Sequence, residues 1–309
     1  MEKWTAVLQV VAPIFAAVCI GVLARKKDML TSKEVRGMEQ FVMKFGLPCL
    51  LFNSCLSAKV NAESLVSFAM VFATILMSVL FTIFVLRKKA PYHNLLMLFA
   101  AQESGMLGIP LFMTLFGPAH VFRMGVLDLA QATFGITTIA ILSADAGENP
   151  TAGYVARQAM RSPLLIFCAA GLILNLTGAR DLLKDAGIMP VIISVTEFIS
   201  QPVSALMLFN VGYGLSISEG NRSMILRLSA IHFVLLAGAG IVMQGILCLL
   251  PAVEPETRWA ILMYTTLPGS YITASLGRTR EEKEMASGVC SLLTVVSLAV
   301  FCVIAVCVA

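Results

Sequence analysis

One apolar stretch, Gln102-Glu103-Ser104-Gly105-Met106-Leu107-Gly108-Ile109-Pro110-Leu111, combines a carboxylate, a hydroxyl, two glycines and a proline. The segment around it, 95–117, is long enough to cross a bilayer. Glu103 is the sharpest candidate for function, because a carboxylate at the middle of a bilayer is costly and usually marks a functional site. Its side chain could carry a proton, bind a cation or hydrogen-bond a solute. The structural alternative is a neutral Glu103 that bonds the backbone of another segment.

The same stretch predicts a broken helix. Pro110 supplies no N–H and its ring clashes with the carbonyl four residues earlier, while Gly105 and Gly108 tolerate unwound backbone. Unwound backbone survives at membrane depth only where protein buries it or where it lines a wet cavity. Together with Glu103 and Ser104, the break is therefore a candidate solute-binding site.

A second break is expected in the other half of the chain, at Thr265-Thr266-Leu267-Pro268-Gly269-Ser270. A hydroxyl stripe at helical spacing, Ser291, Thr294 and Ser297, should lie near it, although such a stripe is more often a close-packing face. The candidate substrate-binding residues of this half are Thr266, Pro268, Gly269, Ser270 and Thr294.

Two further prolines predict bends that leave carbonyls free, with an amide side chain near each; kinks for packing alone explain them equally well. These weaker candidates are Pro48, Asn53, Gln201 and Pro202. Asp128 and Gln131, three residues apart on one predicted helix face, could line a cavity or could hydrogen-bond between helices.

The composition places these motifs in a polytopic membrane protein. Hydrophobic residues make up 58% of the chain and charged residues 13%, about half the charged share of soluble domains. Ten apolar segments approach or exceed spanning length, so the expected fold is all-α with ten transmembrane helices. They cover about 5–24, 35–56, 64–86, 95–116, 119–143, 163–177, 189–214, 225–250, 257–277 and 285–308.

The segments form an internal repeat. Pro13 and Gly21 in segment one are matched by Pro163 and Gly171 in segment six, 150 residues later. Pro48 pairs in the same way with Pro202, and Pro110 with Pro268. With five segments in each repeat, 1–155 and 156–309, the second copy must enter the membrane from the opposite side. This predicts two inverted five-helix repeats, a construction common in secondary transporters.

Basic residues give the orientation. Clusters such as Arg25, Lys26 and Lys27, and the run 87–89, fall in alternate loops, and the remaining loops hold fewer basic residues. The positive-inside rule then predicts that both termini lie outside the cytoplasm, with the chain in the cytoplasmic membrane.

Several function classes find no support. The sequence contains no GxSxG, Walker A, HExxH or clustered-histidine pattern, so no catalytic residues, metal or cofactor are expected. The eight cysteines show no CxxC or Cys/His spacing and are expected to be apolar packing residues. The modest net charge of +4 is explained by membrane orientation, so no nucleic-acid partner is expected.

At this point the chain resembles the auxin efflux carrier family, in its short bacterial form that includes malate and malonate permeases. Gly105 to Leu111 is similar to the family's Asn-x-Gly-x-x-Gly-[Ile/Leu/Phe]-Pro pattern, and the weaker landmarks are Phe45-Gly46-Leu47-Pro48, Pro202 with Gly212, Pro268, and Ser291 with Thr294. The resemblance implies a fold like those of bile acid symporters and sodium/proton antiporters. In that fold two broken helices cross in an X, and the solute binds near the crossing. The family's substrates are mostly small organic carboxylates.

The resemblance also implies that the helices form two groups, a scaffold and a crossover domain. Scaffold helices would comprise 1–57 and 144–214, and crossover helices 64–143 and 225–309. One departure is that Glu103 stands where the family usually has asparagine. A fixed negative charge there would repel a carboxylate, so Glu103 should be protonated, ion-paired or bound to a cation.

The main interpretation is a secondary transporter that moves a small organic carboxylate by alternating access. Half-helices that begin after each break would point the positive ends of their dipoles at an anion. A first alternative is a cation-coupled carrier, or one for cationic or neutral solutes, with Glu103 as a ligand. A second is a membrane receptor that keeps the fold without transport. The identity of the coupling ion, H+ or Na+, and the existence of a homodimer are left open by the sequence.

Overall fold

The computed structural model describes residues 2–59, 61–86, 98–99, 101–144, 161–215, 222–250, 253–271 and 279–308. The basic run 87–89, the start of predicted segment four and the end of segment nine lie outside the described residues. Within them the chain is helical and contains no β-strand. The helices are α1 (Glu2–Lys26), α2 (Ser32–Phe41), α3 (Leu47–Leu56), α4 (Ala62–Phe81), α5 (Ile109–Phe116), α6 (Val121–Ala144), α7 (Pro163–Leu176), α8 (Ala179–Asp185), α9 (Ile188–Ser200), α10 (Val203–Gly214), α11 (Arg222–Cys248), α12 (Pro255–Tyr264) and α13 (Arg280–Val308).

Five stretches of the described residues are long and apolar enough to cross a membrane, and a sixth is added if a bent pair forms one span. The bent pair is α7 with α8, which meet at 81°. The five are Val7–Lys26, Ala62–Phe81, Ile188–Gly214, Arg222–Cys248 and Arg280–Val308. The all-helical membrane fold is thus confirmed, whereas ten continuous spans are not seen. Predicted segment two is helical from Ser32 to Leu56 with a π-helical turn in its middle, whereas segments four and nine contain non-helical backbone at 101–103 and 265–270.

Wide helical turns precede two of the prolines. Val42–Gly46 and Ser104–Gly108 are π-helical, and in each the N–H of the next residue bonds the carbonyl five residues back. Pro48 and Pro110 follow as the second residue of α3 and of α5. The added width is the usual way in which a helix absorbs an extra residue, and it lies where each proline ring would otherwise meet a carbonyl.

The helices pack most closely within two groups. In one group α1 lies along α10 and α3 lies along α7, with α9 against α3 and α2 against α10. In the other group α4 packs on α6, α6 on α12, and α11 on both α12 and α13. The largest hydrophobic core spans both groups, with members such as Ile14, Leu47, Leu107 and Tyr264 almost wholly buried.

Glycines permit two of the closest helix crossings. A Cβ on Gly21 of α1 would lie 2.1 Å from the carbonyl oxygen of Phe209, and one on Gly212 of α10 would lie 2.1 Å from that of Val18. A Cβ on Gly171 of α7 would lie 2.7 Å from the carbonyl oxygen of Phe52 in α3. Any larger residue would push these backbones apart.

Arginines cover a helix end at each of these two crossings. Arg25, at the end of α1, donates to the carbonyls of Tyr213 and Leu215 at the end of α10, at 3.2 and 2.9 Å. Arg180 of α8 donates to the carbonyl of Leu56, the last residue of α3, at 2.8 Å. Both supply donors to carbonyls that a helix leaves unpaired at its C-terminus.

Candidate functional site

The two broken segments meet through their main chains. The backbone N–H of Glu103 donates to the carbonyl of Pro268 at 2.9 Å, and the N–H of Ser270 donates to the carbonyl of Ala101, also at 2.9 Å. Gln102 and Gly269 thereby form an isolated antiparallel bridge. Each stretch of extended backbone satisfies the other, which is how non-helical backbone is tolerated at membrane depth.

Gln131 of α6 completes this pairing on the opposite side. Its Oε1 accepts from the backbone N–H of Gln102 at 2.9 Å, and its Nε2 donates to the carbonyl of the same residue. The hydroxyl of Tyr264 donates to Gln131 Oε1 at 2.8 Å and holds the amide in place. The side-chain amide bonds Gln102 as the backbone of a neighbouring strand would, because it presents one acceptor and one donor to the same residue.

The Glu103 side chain reaches across the crossing. Its Oε2 accepts from the backbone N–H of Tyr271 at 2.9 Å, and the Ser270 hydroxyl also donates to it. Tyr271 is helical and directly follows the second break. The carboxylate, only 7% exposed, thus bonds the backbone of the other broken segment, which is the structural alternative that the sequence left open.

A second carboxylate lies on the other side of Ser104. The Ser104 hydroxyl, which is fully buried, donates to Asp128 Oδ1 at 2.6 Å. A Cβ on Gly105 would lie 3.4 Å from the same oxygen, so Gly105 allows α6 to approach the wide turn. Asp128 and Gln131 face the crossing from one side of α6 and both hydrogen-bond another segment, which is the second of the two alternatives that the sequence left open.

Close backbone contacts surround the bridge. A Cβ on Gly269 would lie 2.5 Å from the carbonyl oxygen of Leu98, and one on Gly108 would lie 2.9 Å from Leu267 Cδ1. The Cys290 thiol donates to the Gly269 carbonyl at 3.2 Å. Gly269 is therefore needed for the close approach to the Leu98 backbone, whereas a Cβ on Gly108 would meet only the end of a leucine side chain.

The hydroxyl stripe of α13 lies against the second break. Thr294 Oγ1, fully buried, is 3.0 Å from the Tyr271 hydroxyl. The Ser297 hydroxyl donates to the carbonyl of Thr266, whose own hydroxyl donates to the Met263 carbonyl at 2.8 Å. Near the crossing, this stripe supplies hydrogen bonds as well as a packing face.

The first break is not located where the sequence predicted it. Gly108 has φ −63° and ψ −49°, and Ile109 has similar angles, so the backbone before Pro110 is helical and not unwound. Widening of the turn Ser104–Gly108 accommodates Pro110, and the non-helical backbone lies earlier, at Ala101 to Glu103. The second break, from Thr265 to Ser270, lies where it was predicted.

The weaker candidates lie at another contact, between the second and seventh predicted segments. Asn53 accepts from the Thr196 hydroxyl at 2.7 Å. Pro48 is buried at the start of α3, whereas Gln201 is exposed, and with Pro202 it separates α9 from α10. The N–H of Leu206 bonds the carbonyl of Pro202 at 2.9 Å, as at any helix start, so the expectation of a carbonyl left free one turn before Pro202 stays a prediction.

Three residues of the crossing were not singled out from the sequence: Tyr264, Tyr271 and Cys290. The two tyrosines flank the second break, and a tyrosine beside a polar break is a usable signal because its buried hydroxyl needs a partner. The described residues contain no group of three or more His, Cys, Asp or Glu side chains that could share a metal ion.

The family described as membrane transport protein matches residues 6–154. Residues 6–154 are thus a domain of the auxin efflux carrier family. No curated protein matches the chain. The matched residues contain the first break, with Glu103, Gln131 and Pro110, whereas the second break lies beyond them. The chain is therefore a membrane transport protein, and its transport role rests on more than hydropathy.

The crossing is tightly closed in the described residues. Gln102, Ser104 and Thr294 are each at most 2% exposed. A solute can reach these groups only if neighbouring segments move apart.

Proposed function

We propose that the chain is a secondary transporter that moves a small organic carboxylate across the cytoplasmic membrane by alternating access. The observation that carries this proposal is the bridge between Gln102 and Gly269, with the buried carboxylate of Glu103 beside it. Two broken segments paired at their breaks bring polar groups together inside an apolar body, a construction that secondary transporters use at their binding sites.

Alternating access requires two bodies that can move against each other. The two packing groups are candidates for these bodies: α1, α2, α3, α7, α9 and α10 as the scaffold, with α4, α6, α11, α12 and α13 as the moving group, while α5 contacts both α10 and α6. The crossing is formed within the second group. A rocking of one group against the other would expose the crossing to each side in turn.

Equivalent helix contacts in the two halves of the chain support the proposed ten-segment inverted repeat. Segment one crosses the second half of segment seven at Gly21, and segment six crosses the second half of segment two at Gly171. Arg25 caps α10 after the first crossing and Arg180 caps α3 after the second. Both pairs are related by an offset close to half the chain, as two copies of one motif would be.

The position of Glu103 suggests how a carboxylate could be coupled to a proton. Its carboxylate accepts from the N–H of Tyr271, so it holds the place that suits an anionic solute. A solute carboxylate would compete with an ionised Glu103 and would bind more readily when Glu103 is protonated. Proton and carboxylate would then travel together.

A second candidate function is favoured by Asp128. Two buried carboxylates, Glu103 and Asp128, lie on either side of Ser104, and buried charges of one sign call for a cation. The carrier would then bind Na+ or a cationic solute with Glu103 as a ligand. A receptor without transport is not favoured by any contact described above.

The test is uptake by the purified protein in proteoliposomes. Labelled mono- and dicarboxylates, amines and amino acids are offered with and without imposed pH and Na+ gradients. Uptake of a carboxylate that rises with an inward proton gradient is the expected result. Uptake restricted to amines, or driven by Na+ alone, would favour the second candidate, and no uptake of any solute would contradict transport.

Two matched glycine variants test whether uptake depends on the crossing. Gly108→Leu places bulk where even a Cβ would meet Leu267 at 2.9 Å, whereas Gly37→Leu adds the same bulk where a Cβ meets nothing within 4 Å. We expect Gly108→Leu to lose uptake and Gly37→Leu to keep it, with both proteins remaining monodisperse. Equal uptake by the two variants would show that transport does not depend on the crossing.

A further inference from the structure

A cavity of about 220 Å³ opens at one end of the molecule, apart from the crossing. Its lining includes the stretch after α3, the starts of α4 and α6, and the start of α12. Leu127 and Ala260 form part of its apolar lining. Gln131 and Tyr264 follow these residues by four positions, about 6 Å along each helix. The cavity therefore lies about one helical turn from the crossing.

Arg123 organises the polar wall of this cavity. Its Nε donates to Thr257 Oγ1 at 3.1 Å, its Nη1 lies 3.1 Å from His120 Nδ1, and its Nη2 pairs with the Glu254 carboxylate. The guanidinium has five N–H groups in a fixed plane. Among the described residues, three of the five are engaged and two remain for a solute.

Helix ends add to the positive potential. α4, α6 and α12 all begin at the cavity, which places the positive ends of three helix dipoles around it. Two nearby helix C-termini have their carbonyls covered: Arg180 donates to Leu56 of α3 at 2.8 Å, and Arg258 donates to Leu247 of α11 at 3.1 Å. Lys59 and Arg123 are matched in the lining by Glu63 and Glu254, so the preference for a carboxylate comes from the helix ends and the two remaining N–H groups of Arg123.

Glu63 places a hydrogen-bond acceptor in the lining of the same cavity. It lines the cavity in the first turn of α4, and its Oε1 is buried without a hydrogen-bond partner among the described residues. A buried acceptor without a partner costs free energy, so the site is incomplete without a donor. A plain carboxylate would leave this oxygen unpaired.

We propose that the cavity is a waiting site for a small carboxylate that carries a hydroxyl or ammonium group on the neighbouring carbon. Arg123 binds the carboxylate, and Glu63 accepts from the hydroxyl or ammonium group. On the expected topology this end faces outside the cytoplasm, so the solute waits here before it reaches the crossing. The inference rests on the proposed transport function for its role, although the binding itself does not require transport.

Three dicarboxylates that differ at one carbon test the proposal: malate, aspartate and succinate, which carry a hydroxyl, an ammonium group and hydrogen there. Calorimetry on the purified full chain in detergent measures the Kd of each. We expect malate or aspartate to bind at least about tenfold more tightly than succinate. Equal binding of all three, or binding of none, overturns the proposal.

Variants of the lining residues test whether Glu63 produces the preference for malate over succinate. Glu63→Leu removes the acceptor and should bring the Kd ratio between malate and succinate to about one, whereas Arg123→Gln should weaken binding of all three by about tenfold or more. The ratio is insensitive to a general loss of folded protein. Asp185→Leu, an equivalent change on the exposed surface of α8, should leave every Kd unchanged. An unchanged ratio in Glu63→Leu overturns the assignment.

The crossing variant Glu103→Gln separates this proposal from the transport proposal. It should retain the malate preference in calorimetry even if uptake is altered, because the cavity lies outside the crossing. If the wild type binds malate preferentially but transports none of the three, the waiting site stands and the transport proposal fails for these solutes. If uptake proceeds and Glu63→Leu changes neither the ratio nor KM, the waiting site fails and transport stands.

Discussion

The N–H of Glu103 donates to the carbonyl of Pro268 at 2.9 Å, so the two broken segments are joined by main-chain atoms. Side-chain substitution at Glu103 leaves this bond in place. The chemistry of the Glu103 carboxylate can therefore be altered without removing the contact that forms the crossing. Variants of the Glu103 side chain therefore test the carboxylate alone.

Gln131→Leu should destabilise the crossing, because the N–H and carbonyl of Gln102 would lose their partners in a buried position. Each unsatisfied group costs about 1–3 kcal/mol. Thermal unfolding of the purified protein in detergent should show a clearly lower Tm. Gln9→Leu, the same change at an exposed position of α1, serves as the control, and an equal Tm for both variants would contradict the role of Gln131.

Gly212→Ala should weaken the crossing of α1 and α10 and lower the Tm, since the new Cβ would lie 2.1 Å from the Val18 carbonyl oxygen. Gly171→Ala should do the same between α7 and α3, though less, because its nearest atom is 2.7 Å away. Gly238→Ala in α11 meets nothing within 4 Å and should stabilise by up to about 1 kcal/mol, as alanine favours helix. The reverse order of Tm values would rule out these crossings as described.

Arg25→Ala and Arg180→Ala should lower stability by similar amounts, about 1 kcal/mol each, because each uncovers carbonyls at the end of a helix. Lys184→Ala, at an exposed position of α8, is the comparison and should have little effect. A loss confined to one of the two arginines would weaken the argument for two equivalent repeats.

Much of the site could be predicted from residue types alone. A carboxylate, glycines and prolines within apolar segments predicted two breaks, and the second break lies at the predicted residues. The hydroxyl stripe around Thr294 was expected near the crossing and lies there. These features depend on local sequence, where proline and polar groups act on their own segment.

The rest depends on partners distant in sequence. Non-helical backbone at Ala101 to Glu103 is stable only because Pro268, Ser270 and Gln131 complete its hydrogen bonds. Pro110 alone predicts unwinding, but a π-turn absorbs its ring at lower cost when the helix is packed on both sides. The bond from the Tyr271 N–H to the Glu103 carboxylate is the structural alternative that the sequence left open, but the sequence alone could not identify its donor.

The expected orientation yields a labelling prediction. Single cysteines that replace Lys26 and Arg280 on a cysteine-free background should react with a membrane-impermeant reagent only from the cytoplasmic side. A cysteine that replaces Lys184 should react only from outside, because the basic loops are expected in the cytoplasm. All three positions are exposed in the structure. Reaction of the Lys26 position from outside would overturn the orientation.

The most direct measurement compares wild type, Glu103→Gln and Glu103→Asn in proteoliposomes. Uptake and counterflow of the best carboxylate are followed between about pH 5 and 8, with and without Na+. If Glu103 carries the coupled proton, Glu103→Gln retains counterflow and loses all accumulation driven by the pH gradient, and Glu103→Asn behaves alike. If Glu103 is a cation ligand, both variants lose Na+-dependent uptake. Accumulation by Glu103→Gln equal to that of wild type under every gradient would contradict a transport role for the carboxylate at the crossing.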